Sequence, residues 1–240
     1  MAKLCKDQHE GLVAKLTAFF NGLTAEEIDN VVTEARQQAT VKTMQERKAR
    51  FAKLFDSQME TLKSRGCPRV ILEAFGNQRD AVLSKAAEME IPKGHIPFVP
   101  VISRTHMSIH GLMLMVRNGD NVGCTYLDPN EITDKVETPK GSYFIYDVED
   151  GKDMLGKSPE KAEKLIKEHS RSCLTTDEGI AVCIHSKVLS EHYVNCTGSR
   201  PLYAGLVLSV YLDDDGPRLG WSFADYSYGK WGSASCRSRA

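Results

Sequence analysis

No stretch of this chain comes near the roughly 18 consecutive apolar residues of a transmembrane helix, so no membrane span is expected. The N-terminus, Met1-Ala-Lys-Leu-Cys-Lys-Asp, turns charged before a signal-peptide core can develop. An excess of either charge is also missing. The formal net charge is −1, which gives no global field to draw in nucleic acid or an anionic membrane, so such binding needs a local patch. No CxxC pair occurs, and the seven cysteines (Cys5, Cys67, Cys124, Cys173, Cys183, Cys196 and Cys236) are odd in number and scattered. Without a secretion signal this pattern predicts reduced thiols and a cytoplasmic protein. Walker A, GxGxxG, GxSxG, HExxH and the kinase motif set are all absent, as is any internal repeat of fixed period. What remains is an ordinary globular composition over 240 residues, 41% hydrophobic and 26% charged, enough for one large domain or two small ones.

The first part of the chain reads as helical. Leu12, Val13, Leu16, Phe19 and Phe20 form one apolar face, and Asn21-Gly22 ends it. Thr24 and Glu27 make a capping box. Neither glycine nor proline interrupts residues 25–65, so one helix of roughly 40 residues or two with a break near Thr40-Val41 and Thr43 are both open. Gly66 is a stop and Pro68 a start, followed by one or two short helices that end before Pro92. Three prolines and a glycine in residues 91–100 mark a division between a helical region, 1–91, and a second domain, 92–240.

The second domain mixes strands with helices. Phe98, Val99, Val101 and Ile102 predict an edge strand, because prolines lack the amide donor. Ser108 caps a helix through Val116 that stops at Asn118-Gly119, and residues 122–127 form a strand. Residues 143–150 read as the central strand, apolar on both faces in its first half. Ser158-Pro159-Glu160 starts a helix running to about His169, and Thr175 and Glu178 form a second capping box. Asp213-Asp-Asp-Gly216 turns a hairpin. The fold class is therefore α+β, with an N-terminal helical region and a small mixed sheet packed by helices.

Three groups could carry chemistry. The acids Asp147, Glu149 and Asp150, with Asp153, follow the central strand. Strand alternation puts Asp147 and Glu149 on one face, as hard-cation ligands or an acid/base pair, although the spacing does not match an EF-hand loop. Cys183, His185, His192 and Cys196 would suit zinc only if one helix carried both histidines, and their spacing is not a common one. Ser199 and Arg200, with the tail Tyr226, Tyr228, Trp231, Arg237 and Arg239, combine small residues, arginines and aromatics. Arginine forks around phosphate or carboxylate, and aromatic rings stack a base or sugar. If the Arg/Ser tail folds back over the central strand, its acids orient arginines rather than bind metal.

The runs Val116-Arg-Asn-Gly-Asp120, Tyr146-Asp-Val-Glu-Asp-Gly151, Leu155-Gly-Lys-Ser-Pro159, Leu174-Thr-Thr-Asp-Glu-Gly179, Gly198-Ser-Arg200 and Trp231-Gly-Ser-Ala-Ser-Cys236, in that order, resemble an uncharacterised family of bacterial proteins, a domain of unknown function, over roughly residues 57–236. The resemblance implies a bacterial, cytoplasmic protein and brings no activity, cofactor or site residue. Three readings stand. One is a binding protein for an anionic ligand (nucleotide, sugar phosphate or RNA segment) that uses the Arg/Ser loops and the tail. Another is a divalent-metal-dependent hydrolase using the acids. The third is an oligomerisation or partner-docking module through the N-terminal helices.

Overall fold

The computed structural model describes Gly22 and residues 24–240; the expected helix around Leu12 to Phe20 lies outside them. Helix α1 (Ala25–Ser64) is continuous. It starts at the expected capping box: the Thr24 amide donates to Glu27 Oε2 at 2.7 Å and the Glu27 amide to Thr24 Oγ1 at 3.3 Å. No break occurs at the threonines. Thr40 and Thr43 donate their hydroxyls back to the carbonyls of Arg36 and Ala39, which satisfies them within the helix.

Lys48–Ala240 is a compact unit. Within this unit the end of α1 buries Phe51, Phe55 and Leu62. Helices α2 (Arg69–Gly76) and α3 (Arg79–Glu88) follow. The proline-rich segment then leads into β1 (Ile96–Ile102). Helix α4 (Ile109–Met113) is capped by Ser108 as expected but ends early. Asn118-Gly119 is not its stop; Gly119, at φ +60, turns a small hairpin between β2 (Arg117–Asn118) and β3 (Asn121–Val122). The expected strand at 122–127 shrinks to β4 (Cys124–Thr125), followed by β5 (Ile132–Asp134) and β6 (Ser142–Val148).

After β6 come α5 (Pro159–Glu168), β7 (Ser172–Cys173), α6 (Thr176–His185), β8 (Tyr193–Cys196) and β9 (Ser199–Pro201). Strands β10 (Leu206–Asp213) and β11 (Gly216–Phe223) pair through the expected Asp213↔Gly216 turn. The tail is ordered as β12 (Trp231–Ser233), β13 (Ser235–Cys236) and β14 (Ser238–Arg239). The class is α+β. One sheet has the order β1-β6-β14, which makes β6 central and β1 an edge; the other runs β12-β8-β10-β11-β4.

Helix α6 lies between the sheets, against β1 on one side and β8 and β10 on the other, and every residue from Thr176 to Ile184 is buried. Its approach to β8 requires a glycine: a Cβ on Gly179 would lie 2.2 Å from Cys196 Sγ. On the other face of the first sheet, Phe144 packs against Phe55, Phe75 and Phe98, with ring centroids at 5.8, 5.2 and 6.0 Å. Among the described residues no helix is long and apolar enough to cross a membrane.

Candidate functional site

The central strand ends in a kink that redirects its acids. Asp147 has φ +49, a left-handed conformation that a non-glycine residue holds only at a cost of about 1–3 kcal/mol. The expected alternation of Asp147 and Glu149 on one face therefore breaks. Asp147 is 2% exposed. Its Oδ1 lies 2.5 Å from His95 Nδ1, and its Oδ2 accepts from Arg171 at 3.1 Å. The Asp147 carbonyl accepts from Arg171 as well, and Arg171 Nε donates to Ser235 Oγ at 2.9 Å. Each partner comes from a different element: His95 from the entry to β1, Arg171 from the turn after α5, and Ser235 from β13.

Glu149 takes a separate role. Its Oε1 accepts from the amides of Gly151 and Asp153 at 3.0 and 2.9 Å, while its Oε2 is buried without a partner. Burial pushes the Glu149 carboxyl from 4.5 up to about 7; the two amides oppose the shift, and the charges of Asp153 and Asp150 add to it. The folded state thus keeps a proton that the unfolded chain releases above about pH 4.5. Stability should fall as the pH rises towards about 7 and level off beyond it, by at most about 1.4 kcal/mol per pH unit. Urea midpoints across this window should fall less steeply for Glu149→Gln than for the native protein; equal slopes would remove Glu149 as the cause.

Asp150 turns elsewhere, with its Oδ1 3.5 Å from His192 Nε2. Asp147, Glu149 and Asp150 thus do not converge. Among the described residues no group of three or more His, Cys, Asp or Glu side chains is arranged to hold a metal ion. The zinc grouping does not form on one helix either, because α6 stops at His185 and a 3-10 turn at Val188–Ser190 separates it from His192.

The tail folds back on the central strand, since β14 pairs antiparallel with β6. Its arginines part company. Arg239 makes a buried fork on Glu178, Nε to Oε1 at 2.6 Å and NH2 to Oε2 at 2.8 Å. Arg237 is exposed. Ser199 is fully buried; its hydroxyl accepts from the Thr176 amide and donates to Asp134. Tyr226, Tyr228 and Trp231 join Tyr193 and Tyr211 in a chain of ring contacts. None of these three, and neither Arg237 nor Arg239, lines the cleft that holds Arg200.

That cleft, of about 500 Å³, lies beside α5 and the turn between β9 and β10. Ser158-Pro159 starts α5 as expected, and Ala162 and Ile166 bury its inner face against Met154 and Cys173. Its outer face brings Glu163, Lys164 and Lys167 to the cleft, while the pairing of β9 with β5 brings in Arg200 and Lys135. Glu163 is held from two sides, by Arg200 at 2.5 Å and Lys167 at 2.8 Å. Burial raises its carboxyl, but the hydrogen bond from Lys167 and the charge of Arg200 outweigh that and lower it. Four bases (Lys135, Lys164, Lys167 and Arg200) face two acids (Glu160 and Glu163), and Pro201, Tyr203 and Leu206 supply less polar wall.

Sequence reasoning found Arg200 but missed the lysines. The i, i+3 spacing of Lys164 and Lys167 was a usable signal, since it sets both on one helix face. It also missed His95 and Arg171, whose positions no spacing rule relates to Asp147.

A model of the Family of unknown function (DUF5701) matches residues 61–240, more than half of the chain. No curated protein and no solved structure matches it.

Proposed function

Because the chain belongs to the DUF5701 family, whose description assigns no activity, we propose its function from the geometry of the cleft: it binds a small phosphate-bearing ligand beside α5. The supporting observation is the charge balance of the lining. Glu163 is already neutralised by Arg200 and Lys167, which leaves Lys135 and Lys164, both exposed, to meet an incoming anion. Arg200 is pre-oriented, because its NH1 donates to the carbonyls of Thr197 and Ser199 and its NH2 to Glu163. The Arg200 side chain then has little order to gain on binding. Tyr203, 63% exposed, offers a ring face to the organic part of the ligand.

Titration calorimetry at low ionic strength with ATP and with inorganic pyrophosphate tests this. ATP should bind, more weakly as salt is added because exposed charges are screened. The double variant Lys135→Glu/Lys164→Glu should weaken it at least tenfold, about 1.4 kcal/mol. Both lysines are exposed, so the fold should tolerate the change. Equal affinity in the variant, or no binding of either compound, overturns the reading. Pyrophosphate binding as tight as ATP would remove Tyr203 from it while leaving the cations.

A further inference from the structure

We infer that the groove at the entry to β1 is a hydrolytic site, where His95 takes a proton from water during cleavage of a carboxylic ester that carries an anionic group. This stands apart from the cleft beside α5 and shares no residue with it.

Four observations converge on His95. Its Nδ1 sits 2.5 Å from a carboxylate oxygen of Asp147, so Nδ1–H donates there and the lone pair of the neutral ring is left on Nε2. Asp147 cannot swing away, because Arg171 grips its other carboxylate oxygen and its carbonyl, and Ser235 holds Arg171. The backbone at Asp147 is held at φ +49 in this position, and strain of this kind gathers at working sites. Finally, His95 lines an open groove of about 400 Å³. A base oriented by a carboxylate that is itself fixed by a third group is the arrangement general-base catalysis needs.

The groove also indicates the substrate. Arg50 and Lys93 line it, both exposed, with Phe51, Leu54 and Pro97 as apolar wall. The two cations suit an anionic substituent and the apolar wall a hydrocarbon stem. Asp153 Oδ2 stands 3.9 Å from His95 Nε2, too far for a direct hydrogen bond and near enough for both to hold one water. In the step, that water's oxygen bonds to the ester carbon as Nε2 takes one of its protons, and the carbonyl oxygen becomes an oxyanion. The oxyanion then re-forms the carbonyl, the carbon–alkoxide bond breaks, and the imidazolium returns the proton to the leaving alkoxide. The products are the acid and the alcohol. Asp147 and Arg171 are positioning residues in this account.

The test uses the full chain with two chromogenic esters, neutral p-nitrophenyl acetate and the anionic mono-p-nitrophenyl ester of succinic acid. The native protein should hydrolyse the succinate ester with the higher kcat/KM. His95→Gln should reduce the rate at least a hundredfold. Lys93→Glu should raise KM for the succinate ester at least fivefold more than KM for the acetate, which separates a site in the groove from a merely structural His95. Thermal melting identifies any variant that fails to fold; if His95→Gln does, the Lys93→Glu result decides. Absence of hydrolysis above buffer, native rates in a folded His95→Gln, or a Lys93→Glu effect equal on both esters overturns the proposal.

Discussion

Replacing Glu178 with alanine should destabilise the fold by about 3–5 kcal/mol, read as a drop in the urea unfolding midpoint. Glu178 is fully buried and serves four donors at once: Arg239 Nε and NH2, the Tyr143 hydroxyl at 3.0 Å and the Thr175 amide at 2.8 Å. Without the carboxylate, the Arg239 side chain, 11% exposed, would keep only Ser172 Oγ and the Cys173 carbonyl. A cation would then be buried with no counter-charge, and the first turn of α6 would lose half of its capping box. The Tyr143 hydroxyl, whose acidity is suppressed by burial first and by Glu178 second, would lose its acceptor. The asymmetry of buried pairs gives a sharper check. Removing both charges together, in Glu178→Leu/Arg239→Met, should be less damaging than Glu178→Ala alone. A single-variant loss under about 1 kcal/mol would show that water reaches the pair and screens it.

Phe144→Ala should cost a similar amount, about 3–5 kcal/mol, through a different mechanism. Phe144 is fully buried on the central strand and touches rings from α1, α2 and β1. Deleting its ring leaves a cavity walled by Phe55, Phe75 and Phe98, each on a separate element, so no single shift can close it. Phe144→Leu keeps most of the volume and should recover more than half of the loss in the same urea titration. If alanine and leucine behave alike, ring packing is not what holds these helices to the sheet.

Local signals in the sequence proved legible, and non-local ones did not. The boxes at Thr24–Glu27 and Thr175–Glu178 could be read because a cap and its partner lie three residues apart. The turn at Asp213–Gly216 was equally local. The strand around Phe144 showed its central place through apolar residues on both faces, and β1 its edge through prolines. By contrast, nothing near Asp147 announces a left-handed residue, and that single dihedral angle decides where the acids point. The capping box illustrates the boundary well. Sequence spacing identified Glu178 as the partner of Thr175, yet the same Oε2 also receives Arg239, a contact that exists only once the tail has folded back. His95, Asp147, Arg171 and Ser235 are likewise neighbours only through the sheet order.

The placement of β14 beside β6 also sets a schedule for synthesis. β1 and β6 leave the ribosome with much of the chain still to be made, and the partner for the free edge of β6 begins only at Ser238. At ordinary elongation rates the wait is on the order of 5–20 s. Through that interval a nascent chain carries a strand rich in Tyr, Phe and Ile with its hydrogen-bonding groups unpaired along one edge, a template for joining the wrong neighbour. Conditions that slow translation of the last third of the chain should therefore raise aggregation of newly made protein without altering the stability of molecules already folded.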